Sequence, residues 1–367
     1  MKMKNEMTSR ERWLAAIRMQ PVDRLPFWPK LDGAYPKAQT APYKDMEIDA
    51  IHRLIGSDMH NWAPGCVKEL RKKTSVKHKR DGDTSTNTYR TEKGQTELVC
   101  VFDEPSQSWH PMKFPVQSLE DIRLMIEIFK DVETVPDFEK LEKLKKIKAD
   151  NGEDGVLSSS VGESPLMYWV EWMAGVENAH FLLSDYQDDV EELFREMQRV
   201  LADSTRITCE HSPVDLIYLT ENTSTTLISP DQYKKYCAQH VGECAEIAKS
   251  FDRNMVIHMC GHLKALLPDL AKIPVKAFEA FTSPTLGNTT LLDGRTGCPD
   301  KCLIGGTNAM LWTKDSSEII RRIEKDLDVL PHHRGIVVTS AGVMPPLCKP
   351  ETIREVCEWV KGYSVRN

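Results

Sequence analysis

A histidine and a cysteine two residues apart are the strongest chemical signal in the sequence. In "MVIHMCG" (255–261), an apolar run ends with His258 and Cys260. If this run is a β-strand, both side chains point to the same face, because strand side chains alternate. An imidazole and a thiolate on one face are suitable zinc ligands, and Gly261 leaves the backbone free to turn after them. The same pair is also compatible with a core cysteine beside a hydrogen-bonded histidine, and spacing alone leaves both interpretations open.

Acidic side chains stand at the ends of other apolar runs. Glu163 follows "LSSSVG". It is compatible with a functional role, as an acid or a ligand, and equally with a capping role at the start of a helix at Pro165. Glu221 ends a strongly apolar run, where an unpaired carboxylate is costly, and Glu279 lies between aromatic residues in "AFEAF". Glu279 needs a partner if it points inward and is an ordinary polar residue if it points outward. The remaining strand-end candidates are Lys30, Asp32, Trp62, Asn222, Asn308 and Ser340.

These residues belong to a regular alternation of short apolar runs and helical segments. The alternation predicts a single (β/α)8 barrel over residues 1–367, with its active site at the carboxyl ends of the strands. An open doubly wound sheet is the alternative, but no glycine-rich phosphate fingerprint follows an early strand. The eight runs are 24–32, 58–65, 155–164, 214–222, 254–261, 275–283, 301–308 and 334–342.

Two segments stand outside this alternation. Apolar residues at helical spacing after Thr8 or Ser9 predict a capped N-terminal helix. Alternating residues around Gly94 predict a β-hairpin insertion at about 70–115, after the second strand. The basic run 71–80 is best explained as a solvated loop or hairpin face.

Composition is that of an ordinary globular protein, with 40% hydrophobic residues and a net charge of −7. The mixed charge argues against a nucleic-acid or anionic membrane surface. No signal-peptide pattern or 18-residue apolar stretch occurs, so we expect a cytoplasmic protein whose ten cysteines are reduced. Cys298 and Cys302 precede the seventh strand and are expected to be structural thiols at the opposite end of the barrel.

Several stretches together resemble the uroporphyrinogen decarboxylase superfamily, and in the same order along the chain. They are "TSRERWLAAIRMQPVDRLPFW", "GESPLMYWVEWMAG", "ISPDQYKKYCAQH", "HMCGHLKALLPDL", "EAFTSPTLGN", "CLIGGTNAMLW" and "SAGVMPPLCKPETIREVCEWV". The resemblance covers essentially the whole chain and implies a (β/α)8 barrel. True decarboxylases hold their substrate's carboxylates with arginines in Arg-Gln-Ala-Gly-Arg, where this chain reads "FWPKLDGAY". Tyr168 does match a tyrosine of the decarboxylases, but the missing arginines make that activity a poor expectation.

The chain is more similar to the corrinoid-dependent methyltransferase branch, which carries His-x-Cys at the same strand end. By this resemblance His258 and Cys260 are zinc ligands. The branch's third ligand lies in Gly-Cys-Gly, where this chain has Ala341 between Ser340 and Gly342. Cys348 is therefore expected to complete the site, Glu221 is the oxygen alternative, and a vestigial site is the third possibility.

The resemblance implies a zinc-dependent methyltransferase that moves a methyl group between a small substrate and a corrinoid protein. The small substrate is a methylated compound or a thiol acceptor, and the chain is a possible homodimer. Glu221 or Glu163 would manage the proton. The expected substrate-binding residues are Trp62, Tyr168, Asn222, Glu279 and Asn308. Two other functions stay open: decarboxylation of a tetrapyrrole or other polyacid, and non-catalytic binding of a corrinoid or methylated compound.

Overall fold

The computed structural model describes residues 6–367, and its core is an eight-stranded parallel sheet. We number all strands in chain order, β1 to β14. The eight strands of this sheet are β1 (Phe27–Trp28), β2 (Met59–Trp62), β9 (Gly155–Gly162), β10 (Leu216–Thr220), β11 (Asn254–His258), β12 (Ala277–Phe281), β13 (Cys302–Gly306) and β14 (Ile336–Thr339). All eight predicted runs contain one of these strands, so the predicted (β/α)8 barrel is confirmed.

The barrel closes at a seam between β1 and β2, the two ends of the hydrogen-bonded order β1-β14-β13-β12-β11-β10-β9-β2. Asp58, which is 1% exposed, bridges this seam. Its backbone N–H donates to the carbonyl of Phe27 at 2.8 Å, and its carboxylate accepts from the N–H of Phe27 at 3.0 Å. The guanidinium groups of Arg12 and Arg24 also donate to this carboxylate, at 2.6 and 2.7 Å. A buried, fully hydrogen-bonded ion pair therefore replaces a strand ladder here.

Alternate strand residues face the barrel interior and the surrounding helices. On β10, Leu216 and Tyr218 belong to the interior cluster, whereas Ile217 and Leu219 pack in the outer cluster under the helices. The amino end of the interior is closed by the N-terminal helix, whose Trp13 lies 5.8 Å from Trp28 between ring centroids. The interior is thus a packed core, and the fold places an active site at its carboxyl end.

Helices follow the strands and cover the barrel. Thr8 caps the N-terminal helix through a capping box with Glu11, as expected. Ser229 forms a second capping box with Gln232, and the Asp315 side chain accepts a hydrogen bond from the N–H of Glu318 at the start of a later helix. None of the helices within residues 6–367 has the length and apolar character required to cross a bilayer. The α-helices are α1 (Ser9–Ile17), α2 (Ala34–Lys37), α3 (Ile48–Ile55), α4 (Leu119–Lys130), α5 (Phe138–Asn151), α6 (Pro165–Tyr168), α7 (Val176–Asp185), α8 (Gln187–His211), α9 (Pro230–Gln232), α10 (Ala238–Ser250), α11 (Leu267–Leu270), α12 (Leu291–Gly297), α13 (Ser316–Asp328) and α14 (Pro350–Gly362).

The insertion between β2 and β9 is larger than the hairpin expected around Gly94. Two of its strands, β3 (Val67–Leu70) and β8 (Glu133–Pro136), form an antiparallel pair. Between them lies a four-stranded antiparallel sheet of β4 (Ser75–Asp81), β5 (Thr84–Thr91), β6 (Gly94–Asp103) and β7 (Ser108–Lys113). The basic run 71–80 supplies most of the exposed edge strand β4, where charged side chains discourage pairing with another chain.

Candidate active site

The carboxyl ends of the barrel strands carry unusual backbone conformations. Four non-glycine residues there have positive φ: Lys30 (42°), Asn222 (43°), Ala280 (61°) and Ala341 (64°). Such conformations are unfavourable for residues with a Cβ, and they persist where the surrounding structure enforces them. Their concentration at one end of the barrel marks this end as the candidate site.

At the centre of this end, a carboxylate connects a lysine to the predicted metal-binding histidine. Glu279 is 1% exposed and points into the barrel, which is the orientation for which the sequence predicted that it needs a partner. Lys30 Nζ donates to Glu279 Oε1 at 2.8 Å, and His258 Nδ1 hydrogen-bonds to Glu279 Oε2. Burial raises the pKa of Glu279, but the charges of Lys30 and His258 outweigh it and hold that pKa well below its usual value. Burial likewise lowers the pKa of His258, but the charge of Glu279 raises it above the usual range.

This arrangement fixes the orientation of His258 and, when the ring gives up its second proton to bind a ligand, its tautomer. Because Nδ1 faces Glu279, Nε2 is the ring nitrogen available to a ligand. A carboxylate behind a histidine in this way is the usual support of a metal-binding imidazole. Glu279 thus belongs to the predicted site, but as a support for His258 and not as a group that faces a substrate.

Cys260 lies on the same side of the barrel end and is exposed. Its Sγ is 3.6 Å from Asn222 Oδ1, and Asn222 Nδ2 donates to Glu171 Oε2 at 2.9 Å. Oε1 of Glu171 is buried and has no hydrogen-bond partner within the described residues. The structure therefore brings together His258, Cys260 and Asn222 as expected and adds Glu171.

Glu171 was not among the residues singled out from the sequence. It lies in "YWVE", directly after the third barrel strand, on a π-helical turn formed by Trp169–Met173. A π-turn changes which side chains face the strand end, and residue spacing does not reveal it. The adjacent aromatic residues were the only sequence signal for this turn.

Glu163 is a second carboxyl group at this end of the barrel. Its Oε1 accepts a hydrogen bond from Trp172 Nε1 at 3.1 Å, while its Oε2 is buried without a partner among the described residues. Burial raises the pKa of Glu163 to about 8, and the neighbouring charges of Glu171 and Glu221 act in the same direction. At neutral pH this group carries a proton and can donate it.

Glu221 is fully buried and turned towards α6. Its two oxygens accept hydrogen bonds from the backbone N–H and the hydroxyl of Ser164, at 2.8 and 2.9 Å. Burial raises the pKa of Glu221 to about 8, since no cation of the described residues lies beside it to offset the loss of hydration. The structure therefore places this residue behind the strand ends, with its carboxyl group committed to Ser164.

The other candidates occupy distinct positions around the site. Trp62 is 51% exposed and packs edge-on against Tyr218 at 4.7 Å, and Tyr168 contacts Tyr89 of the inserted sheet. Asn308 is almost buried, and its side chain caps the turn at Leu311 and donates to Ser283 and Pro284. Asp32 and Ser340 likewise bond to the backbone of their own loops. Trp62 and Tyr168 are available as walls, whereas Asn308, Asp32 and Ser340 shape loops.

Cys348 lies apart from His258 and Cys260. It is 2% exposed in the loop after β14, its carbonyl accepts a hydrogen bond from Tyr35 at 2.5 Å, and burial raises the pKa of its thiol to about 12. Within residues 6–367, no three side chains of the types His, Cys, Asp and Glu are gathered in a metal-binding geometry. His258 and Cys260 fit zinc by donor type, and Glu171, whose Oε1 has no partner among the described residues, is linked to them through Asn222. A third protein donor would have to move towards the pair.

Cys298 and Cys302 lie at the opposite end of the barrel, as expected. Cys298 is buried before β13, and Cys302 begins that strand. Burial raises the pKa of these thiols to about 11 and 12. They are therefore packed, protonated thiols.

Comparison with known proteins agrees with this architecture. The chain is similar in structure to a methyltransferase from Methanosarcina mazei, with a TM-score of 0.61 and 16% identity over 97% of this chain and 99% of that chain. A weaker match, with a TM-score of 0.41 and 14% identity, is to a protein from Listeria monocytogenes described as a putative vitamin-B12-independent methionine synthase, over 60% of this chain and 66% of that chain. No curated protein sequence matches significantly. Residues 115–363 match the family model described as "Uroporphyrinogen decarboxylase (URO-D)". The chain belongs to the uroporphyrinogen decarboxylase family.

Proposed function

We propose that this protein is a zinc-dependent methyltransferase that moves a methyl group between a small substrate and a corrinoid protein. The observation that carries the proposal is the pair His258 and Cys260 at the open end of the barrel. His258 is held by Glu279 with Nε2 available, and Cys260 is exposed beside it. An imidazole backed by a carboxylate and an accessible thiol are two of the donor types from which zinc sites are built.

The charge of the site favours this function over decarboxylation of a polyacid. The site contains the carboxyl groups of Glu163, Glu171 and Glu279, and its lysine, Lys30, is already paired with Glu279. A substrate with several carboxylates would find Lys30 already paired and no arginine among the side chains described at this site. A neutral methylated compound or a thiol fits these surroundings better.

Zinc bound by His258 and Cys260 would supply a Lewis-acid position that favours a substrate thiolate or polarises the oxygen of a methyl ether or alcohol. Glu171, with one unpartnered oxygen, is the side chain best linked to the pair as a third donor. Glu163 would exchange the proton through its Oε2, giving it to a leaving oxygen or taking it from a thiol. Trp62 and Tyr168 would provide apolar walls that limit access of water.

The corrinoid is expected to arrive on a separate protein. Large apolar side chains are exposed around the open end of the barrel: Trp62 at 51%, Met310 at 56% and Leu347 at 83%. They lie at the end of β2 and in the loops after β13 and β14, so they surround the site on one side. Exposed apolar residues around an active site are typical of a surface that another protein covers.

The direct test is metal analysis of the freshly purified protein, followed by methyl transfer with methylcobalamin and a thiol. We expect about one equivalent of zinc, lost in His258→Ala and Cys260→Ala. Cys100→Ala, which removes a thiol of the inserted sheet, is the matched control and should keep the metal. Absence of zinc from the wild-type protein would refute the proposal.

The rival functions make different predictions in the same experiment. A decarboxylase would convert a tetrapyrrole substrate without metal, and its activity would survive His258→Ala. A protein that only binds a corrinoid would be stabilised against heat by it without any methyl transfer. Either result would replace the methyltransferase proposal.

A further inference from the structure

A second pocket lies at the amino end of the barrel, opposite the candidate active site. It is a cavity of about 320 Å³ between the end of α1 and the loops that precede β12, β13 and β14. Arg18 follows α1, Lys276 precedes β12, and Arg334 precedes β14, and all three line the cavity. Four segments that are distant in sequence thus contribute to one concave surface.

The charge of this pocket contrasts with that of the whole chain, whose net charge is −7. Within the described residues, no carboxylate pairs with Arg18, Lys276 or Arg334, although ion pairs are abundant elsewhere on the surface. The one acidic side chain in the lining, Asp300, is neutralised by Lys301 at 2.8 Å. The pocket therefore has an excess of positive charge.

A buried arginine adds a further charge behind the pocket wall. Arg295 is 3% exposed, and its guanidinium donates to the carbonyls of Pro299, Lys301, Arg334 and Gly335 at 2.7 to 3.2 Å. These carbonyls satisfy its terminal N–H groups but do not neutralise it, and Nε has no partner among the described residues. Burial lowers the pKa of Arg295, but an arginine stays protonated in a protein. Asp300 is the acidic side chain whose charge acts on Arg295, and it is already paired with Lys301, so Arg295 adds to the positive potential behind the wall.

His332 places an imidazole in the same lining. Its Nδ1 is buried and has no partner within the described residues. Burial lowers the pKa of this imidazole, and the charges of Arg295 and Arg334 act in the same direction. The ring therefore adds no positive charge of its own, and because Nδ1 is enclosed by protein, the cations Arg18, Lys276 and Arg334 are the groups that can contact an anion directly.

We propose that this pocket binds a phosphate dianion, either as free phosphate or as the phosphoryl group of a small metabolite. Two exposed guanidinium groups and a lysine converge on it, and guanidinium forks match phosphate geometry. Several unpaired cations favour a dianion over a carboxylate, because a ligand with two negative charges interacts more strongly with them than a ligand with one. The inference is independent of the proposed methyl transfer, since it concerns the other end of the barrel and is tested by binding.

The test is isothermal titration of the full-length protein with sodium phosphate, compared with sodium acetate and sodium chloride at matched ionic strength. We expect saturable binding of phosphate only. Lys276→Gln and Arg334→Gln should each weaken it by about tenfold or more, because each removes one charge-assisted contact. Lys146→Gln, which replaces a lysine on the distant α5, is the matched control and should bind as the wild type does.

Phenyl phosphate distinguishes the two sources of the phosphoryl group. Binding at least as tight as that of inorganic phosphate indicates a phosphorylated metabolite, and weaker binding indicates free phosphate. Both exposed cations can be replaced without disturbing the core, so circular dichroism should show unchanged folding. Phosphate binding that equals acetate binding, or that persists unchanged in both variants, would overturn the proposal.

Discussion

Replacing Glu221 by glutamine tests how the structure treats a buried carboxyl group beside the site. In the protein, Oε1 and Oε2 of Glu221 accept from the N–H and hydroxyl of Ser164. In Glu221→Gln, the side-chain amide is expected to accept from the N–H through its oxygen and to donate to the hydroxyl through its nitrogen. The substitution therefore keeps the shape and both contacts while it removes the titration.

The magnitude follows from the pKa of about 8 in the folded protein, compared with an ordinary value of 4.5. Between these two values the folded state keeps a proton that the unfolded state has lost, so the stability of the wild type falls as pH rises. Each pH unit corresponds to about 1.4 kcal/mol, which gives about 3 kcal/mol at pH 7 and about 5 kcal/mol above pH 8. Below about pH 4.5 both states carry the proton, and the effect vanishes.

Urea unfolding of Glu221→Gln and wild type at about pH 5, 7 and 9 measures this difference, with zinc content determined on the same samples. We expect the variant to gain stability relative to the wild type as pH rises, and to keep its metal. A stability difference independent of pH would refute the assignment of a buried, protonated Glu221. Loss of zinc would instead show that Glu221 is the third ligand.

Three further substitutions test the barrel seam, the proton donor and the turn after the metal pair. Asp58→Asn should lower the free energy of unfolding by about 3–5 kcal/mol, because the buried Arg12 and the neighbouring Arg24 lose the negative charge that they share and Arg12 keeps only Asp23. Asp154→Asn, which removes an exposed ion pair, should change it by less than about 1 kcal/mol in the same urea titration. Glu163→Gln should reduce methyl transfer by about 100-fold or more and abolish the loss of activity expected of the wild type above about pH 8. If the activity of the variant still fell above that pH, Glu163 would not be the acid. Gly261→Ala should reduce the free energy of unfolding by about 1–3 kcal/mol and decrease zinc content, because the new Cβ would lie 2.2 Å from Cβ of Ser224. Unchanged thermal unfolding and zinc content would contradict this close approach.

Much of the fold was predictable because it depends on local patterns. The eight apolar runs and the cap at Thr8 are short-range signals, and each was found where expected. The turn at Gly261 was also anticipated, but for a different reason. We expected backbone freedom, and the structure shows a close approach of Ser224, which depends on a neighbouring strand end.

The insertion and the barrel seam could be predicted only in part. Alternation around Gly94 indicated one hairpin, but pairing of β3 with β8 joins segments that are distant along the chain, for which the sequence has no local signal. The closure of the barrel at Asp58 also had no local signal. The short β1 pairs with β14 along one edge, and at its other edge the ion pairs of Asp58 take the place of a strand partner. Such pairings are decided by which edges remain free after the barrel has formed.

By itself, the sequence determined the kinds of groups at the strand ends and the side of β11 on which His258 and Cys260 lie, because strand periodicity sets both. It also determined the family resemblance that made zinc the natural expectation. Only the tertiary structure decided how the carboxyl groups are used. Glu279 supports His258 because Lys30 lies within hydrogen-bond distance, whereas Glu221 turns to Ser164 and keeps a proton because no cation of the described residues lies near it. A carboxyl group takes its charge and role from its neighbours in space, and those neighbours come from other strands.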